Sequence, residues 1–126
     1  KKVKKYGFKF DSKKGKVGAW NFADIDCNFI SLHHFLKWYK FGISRSFDNL
    51  SVQIRYGMIS RNMALKKISK LGHIIPHEDI KLFCKFVNKP TSWFWKTCEK
   101  FRNNEIWYKD KKKWKIKNFI VPNWKW

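Results

Sequence analysis

Three glycines, Gly42, Gly57 and Gly72, each close a run of apolar residues at helical spacing, and this punctuation most limits what the chain can fold into. A glycine just past the last periodic residue supplies the left-handed turn that ends a helix. Before Gly42, Leu32, Phe35, Leu36 and Tyr39 recur on one face of a helix that starts near Asn28. Before Gly57, Phe47, Leu50 and Ile54 form the stripe of a helix from Ser46 to Tyr56. Before Gly72, Ser60 is placed to cap a helix from Arg61 to about Leu71. A fourth helix is predicted over about His77–Val87, with Glu78 and Asp79 where the helix dipole favours acids. A fifth follows Pro90 from a Thr91 or Ser92 cap to about Arg102, partly burying Phe94, Trp95, Cys98 and Phe101.

The ends read differently. Residues 6–22 look like short extended pieces around a turn at Asp11–Gly15, with Lys16–Phe22 a strand or an ordered loop. Trp107–Trp126 alternates aromatic or aliphatic residues with lysines, and WKIKNF (114–119) reads as a short strand or a clamp lying on the surface. The expected fold is mainly α: about five short helices with irregular or short-strand aromatic segments at both ends. Asp26 precedes the first helix and most simply caps it.

The chain has 126 residues, enough for one domain with a modest core. Its 44% hydrophobic and 19% aromatic content excludes a disordered segment, despite the charge. Three cysteines, Cys27, Cys84 and Cys98, form no CxxC pair, which argues against a disulfide framework or a zinc site. No metal site is expected. Reduced thiols, the lack of a signal peptide and the lack of a membrane-length apolar run point to a cytoplasmic protein. The opening KKVKKYGFKF reads like the end of a helix passing through Gly7, so the expectation is the C-terminal part of a longer protein.

The formal net charge of +20 suggests an anionic partner or simply a lysine-rich composition. The arginines are more selective. From Phe41 to Leu65 there is no lysine, yet three of the four arginines, Arg45, Arg55 and Arg61, lie there. Arginine's planar fork grips a carboxylate or phosphate in two places, whereas lysine is a point charge. Asp48 and Arg55 are two turns apart and so project from one side of their helix. Arg61 falls in the first turn of its helix, where free N–H groups already favour an anion. Lys40, Arg45, Asp48, Arg55 and Arg61 are the candidate substrate- or anion-binding set, with Asp48 orienting a guanidinium or forming a structural ion pair with Arg55. His33, and less so His34 or Asp26, are candidates for acid–base catalysis. His73 and His77 flank a loop and read as structural.

The run SLHHFLKWYKFGISRSFDNLSVQIRYGMISRNMALKKI (31–68) resembles the C-terminal region of the N-acetyl sugar amidotransferases, PP-loop ATP-pyrophosphatase-type enzymes of surface-polysaccharide and lipopolysaccharide biosynthesis. The matching elements, in order, are Leu32–His33, Lys40–Phe41–Gly42, Arg45, Asp48, Ile54–Arg55–Tyr56–Gly57 and Ile59–Ser60–Arg61. Pro76, Phe94–Trp95, Phe101–Arg102–Asn103, Ile106–Trp107 and the 114–117 segment continue the match, as do Tyr6–Gly7–Phe8 and Ile25–Asp26 upstream. Two positions depart from the family pattern: Ser44 stands where a glycine is usual, and Cys27 where an acid is common.

The resemblance implies the C-terminal fragment of an α/β PP-loop enzyme. Residues 1–27 would connect from an N-terminal ATP-binding domain, 28–106 would form the helical C-terminal domain, and 107–126 an aromatic, lysine-rich tail. It implies ATP with Mg held mainly by that other domain, none bound by this fragment alone. It also implies an N-acetylated sugar or nucleotide-sugar substrate and a glutaminase subunit that supplies ammonia. A basic helical nucleic-acid-binding module is the competing reading. The evenly spread lysines and the lack of a recognisable reading motif count against it. A scaffold that only recruits the glutaminase is a third. For Trp107, Trp114, Trp124 and Trp126, docking onto a partner or another domain is preferred over stacking on bases.

Overall fold

A computed structural model describes residues 3–7, 9, 17–23, 27 and 29–126. After a 3₁₀ turn at Val3–Tyr6 come five helices: α1 (Ile30–Phe41), α2 (Arg45–Arg55), α3 (Arg61–Leu71), α4 (His77–Phe86) and α5 (Thr91–Lys100). A two-stranded antiparallel hairpin, β1 (Trp107–Asp110) and β2 (Lys113–Ile116), follows. The expected mainly helical fold is what the chain adopts. The turn at residues 11–15 and the capping role of Asp26 lie outside the described residues. Residues 17–23 form an ordered loop, held by Val17 in the core and by the Ala19 N–H donating to Asn49 Oδ1 at 2.9 Å.

The core forms around α1, which packs against α2, α4 and α5. Its buried residues, Leu32, Phe35, Trp38 and Tyr39 with Ser31 and His34, repeat at the three- and four-residue steps of one helix face. Leu36 stands largely outside this stripe. Gly42 ends α1 with φ +68°, its N–H donating to the Trp38 carbonyl. A Cβ there would also lie 2.6 Å from Ile116 of β2, so backbone conformation and close packing both require glycine. Phe47 and Leu50 bury the inner face of α2, while α3 contributes only Ala64 and Ile68. Ser60 caps α3, its Oγ accepting from the Met63 N–H. In α4 and α5 the buried residues are Ile80 with Cys84 and Phe94 with Cys98. Asp79 sits in the first turn of α4 as expected, but buried, accepting from the Ser31 hydroxyl of α1.

The start of α5 and the tail need correction. Pro90 occupies the cap position of α5, and Thr91 is already helical. The helix ends at Lys100, which leaves Phe101 72% exposed rather than partly buried. Of the two readings of WKIKNF, the short strand is what forms, as β2, and the surface clamp is not. Trp107, Val121 and Trp124 belong to the core. Trp38, Phe119, Trp124 and Trp126 contact one another with ring centroids 5.1–6.4 Å apart. The indoles thus anchor the C-terminal segment onto α1 of the same chain. The main anchor is a backbone one. Tyr39 lies in the last turn of α1, where carbonyls lack helical partners. Its carbonyl accepts from the Asn103 N–H at 3.1 Å and from Trp107 Nε1 at 3.0 Å.

Candidate functional site

Two charged centres stand out, each in contact with a residue of α1. The first joins α1 to α2. Asp48, in the first turn of α2, accepts from Lys37 Nζ at 2.6 Å and lies 3.7 Å from an Arg45 terminal nitrogen. All three side chains are between a fifth and a third exposed. This centre therefore gathers a guanidinium and an ammonium, both partly exposed, around one carboxylate. Asn49, next on the helix, fixes the 17–23 loop beside it, and a Cβ on Gly18 would touch both Asn49 and Arg45.

The rest of the sequence-derived set is spread along α2 and α3. Arg55 is the last residue of α2, ten positions from Arg45, so the two are about 15 Å apart along the axis. Among the described residues it forms no ion pair with Asp48. Arg61 is the first residue of α3 and exposed like Arg55. Lys40 is exposed in the last turn of α1, its ammonium 5.2 Å from the Phe41 ring centre. His33 is exposed, edge-on to His34 at 5.3 Å. Asp26 lies outside the described residues. The structure thus brings Arg45, Asp48 and Lys37 together, and sets Arg55 and Arg61 near the opposite end of α2.

The second centre is Arg102, which carried no role in the residue-by-residue reading of the sequence. Its side chain is 6% exposed. The guanidinium lies 4.4 Å from the Tyr39 ring centre and 4.7 Å from those of Trp107 and Trp114. Its Nε and one terminal nitrogen donate to the two Glu99 oxygens at 2.9 and 2.6 Å. Aromatic faces and a bidentate carboxylate are what a delocalised guanidinium tolerates when buried and an ammonium does not. The signal was present: Arg102 is the one arginine outside the lysine-free segment. It also stands three residues after an acid and close to two tryptophans, Trp107 and Trp114.

Around it the titrations follow burial. The Tyr39 phenol is pushed up to about 12 by burial, with Arg102 pulling weakly the other way. Burial and the neighbouring Glu99 raise the Cys98 thiol to about 11, and burial raises Cys84, so neither is a thiolate nucleophile near neutrality. His73 is stacked between Phe35 and Trp38 at 5.0 and 4.6 Å. Burial, helped by the Arg102 charge, lowers it to about 4, so it is neutral near pH 7. Among the described residues no three His, Cys, Asp or Glu side chains converge to hold a metal. No helix there is long and apolar enough to cross a membrane.

The chain belongs to the family described as the LPS biosynthesis protein WbpG-like C-terminal domain, whose model matches residues 2–120. No curated protein matches the chain.

Proposed function

We propose that this chain is the C-terminal part of an ATP-dependent amidotransferase that converts a sugar acetamido group to an acetamidino group in lipopolysaccharide biosynthesis. The observation that carries this reading is the family match over residues 2–120, which covers the whole arginine-bearing segment. In the reaction, the acetamido oxygen attacks the α-phosphorus of ATP and pyrophosphate leaves. Ammonia released from glutamine by a glutaminase adds to the activated carbon. The oxygen then departs on AMP, leaving C=N in place of C=O. ATP with Mg is bound mainly by a nucleotide-binding domain outside this chain, and the fragment alone is inactive. The reaction takes place in the cytoplasm.

In this reading Arg45, held beside Asp48, and Lys40 grip the anionic part of the sugar substrate. Arg55 and Arg61 face the diphosphate or the departing pyrophosphate. Fixed positive charge stabilises charge that develops in the transition state. His33 and Asp26 are the candidates for moving protons. The test uses the full-length protein with ATP, glutamine, a glutaminase and nucleotide-linked N-acetyl sugars. Pyrophosphate release coupled to exchange of the acetamido oxygen for NH, seen by mass spectrometry, is the expected result. Arg45→Ala is expected to lower kcat/KM by about 10²-fold, the scale of losing one charge-assisted contact in the transition state. No sugar-dependent pyrophosphate, together with nucleic-acid binding that weakens steeply with salt, would replace this reading with the nucleic-acid one.

A further inference from the structure

Arg102 has more donors than its protein partners use. Glu99 takes two of the five N–H bonds. The Tyr39 hydroxyl takes at most one more. At least two N–H bonds of the guanidinium therefore have no acceptor among the described residues and are left to the cavity that Arg102 lines. A second polar group in the same place, His73 Nε2, is buried without a hydrogen-bond partner. Such a buried group costs about 1–3 kcal/mol if left unpaired. Both line one cavity of about 240 Å³ between α1, the 72–76 loop, the hairpin and the C-terminal segment.

The rest of the lining says what could fill it. Indoles make up most of the wall: Arg102 lies over Trp107 and Trp114 and His73 over Trp38, which leaves Trp124 and Trp126 as the further aromatic lining, and Lys113 and Lys125 stand at the exposed rim. The volume falls below the roughly 300–1,000 Å³ of drug-sized sites, which leaves room for one ring with a small substituent rather than a whole nucleotide. Aromatic faces take the C–H faces of a pyranose ring. A fork of N–H donors and a neutral imidazole take its oxygens, and ammonium groups take a negative substituent.

We propose that this cavity binds a pyranose ring carrying one anionic group, carboxylate or phosphate. Arg102 and His73 meet the ring and hydroxyl oxygens, and Lys113 and Lys125 meet the charge. The choice of a saccharide over another cyclic anion rests on the polysaccharide-biosynthesis reading above. The position of the site does not: it is a sugar subsite separate from the Arg45 centre.

The test is binding to the full-length protein without ATP, by calorimetry and tryptophan fluorescence, with glucuronate, glucose 1-phosphate and glucose as probes. Saturable binding of at least one anionic sugar is expected, with glucose weaker by about tenfold or more, the scale of one charge-assisted hydrogen bond. Glucuronate alone would assign a carboxylate, and glucose 1-phosphate alone a phosphate. Arg102→Lys keeps the charge and loses the fork, and is expected to weaken binding by about tenfold or more. If that variant fails to fold by circular dichroism, the exposed-rim pair Lys113→Glu and Lys125→Glu gives the reading, again as weaker binding of the anionic sugars. Equal affinity for glucose, no binding of any probe to the folded protein, or affinity unchanged by the rim pair would overturn the proposal. Sugar binding without sugar-dependent pyrophosphate release sinks the amidotransferase reading and leaves the cavity assigned. The reverse result sinks the cavity assignment alone.

Discussion

The chain uses arginine in two regions, and the two surround it in opposite ways. In the α2–α3 arm, Arg45, Arg55 and Arg61 stand on helix ends, and α3 buries only Ala64 and Ile68 beneath them. In the α1–hairpin half, Arg102 is buried among the rings of Tyr39, Trp107 and Trp114, holds one carboxylate and lines the indole-walled cavity. The first region offers charge at little cost in stability. The second builds its charge into the core, where removing a neighbour disturbs everything packed around it. Stability and ligand recognition should therefore separate in the arm and be inseparable in the aromatic half.

The strongest way to break this comparison is Trp107→Ala. Trp107 is 4% exposed, donates to the Tyr39 carbonyl and forms one wall around Arg102. Truncating a buried aromatic of this size typically costs about 3–5 kcal/mol. Urea unfolding should show a much lower midpoint with one cooperative transition, because α1 is shared by both halves. A variant that keeps a separate, unshifted transition for α2–α3 would show that the arm folds without the aromatic half. Arg55→Ala is the matching control in the arm, expected to stay within about 0.5 kcal/mol because the side chain is exposed.

The next effect in size is a pH effect. His73 titrates near 4 in the folded protein, below its ordinary 6.5, chiefly because burial disfavours the charged form. Above pH 6.5 both folded and unfolded chains hold it neutral, and its contribution is fully present. Between 6.5 and 4 the unfolded state takes up a proton that the folded state refuses, so stability falls with pH. The loss over that window is on the order of 3 kcal/mol at 1.36 kcal/mol per unit. His73→Phe keeps the stack on Phe35 and Trp38 and removes the titration, so the difference between variant and wild type should grow in the variant's favour as pH drops from 7 to 4. A difference that stays constant with pH would show that His73 takes up its proton as readily in the folded chain as in the unfolded one, so that the aromatic half does not hold it neutral.

Much of the arm was legible because it is built from local rules. Ser60 as cap, Gly42 and Gly72 as stops and the Phe47–Leu50 stripe are signals contained within a few residues, and the structure repeats them almost residue for residue. The aromatic half depends on contacts between distant positions. Trp107 meets Tyr39 across 68 residues, which no local pattern records. Of the hairpin, the second strand was legible in WKIKNF, but its pairing with 107–110 was hidden for a different reason. Its two-residue turn is Lys111–Lys112, with Lys111 at φ +55°, where the usual signal is Asn-Gly or Asp-Gly. Alternation in 107–126 was visible, but a lysine-studded segment reads as surface, and its buried residues, Trp107, Val121 and Trp124, show themselves only when the segment folds back on α1. Arginine chosen over lysine picked out Arg45, and the same argument reaches Arg102 once applied to a single residue rather than a cluster.

The smallest expected effect is also the most discriminating. Asp48 holds Lys37 at 2.6 Å and Arg45 at 3.7 Å, with all three side chains partly exposed. Solvent-screened pairs of this kind contribute about 0–1 kcal/mol, less at high salt. Asp48→Asn should therefore shift stability by under about 1 kcal/mol, and the coupling to Lys37 in a Lys37→Met double-mutant cycle should shrink as salt is raised. If Asp48 instead orients Arg45 for an anionic substrate, the same substitution raises KM with little change in the unfolding midpoint. A loss of stability well above 1 kcal/mol and indifferent to salt would mean that the α1–α2 junction uses Arg45 as a structural group. The comparison between a partly exposed and a buried arginine would then collapse, because both would belong to the scaffold.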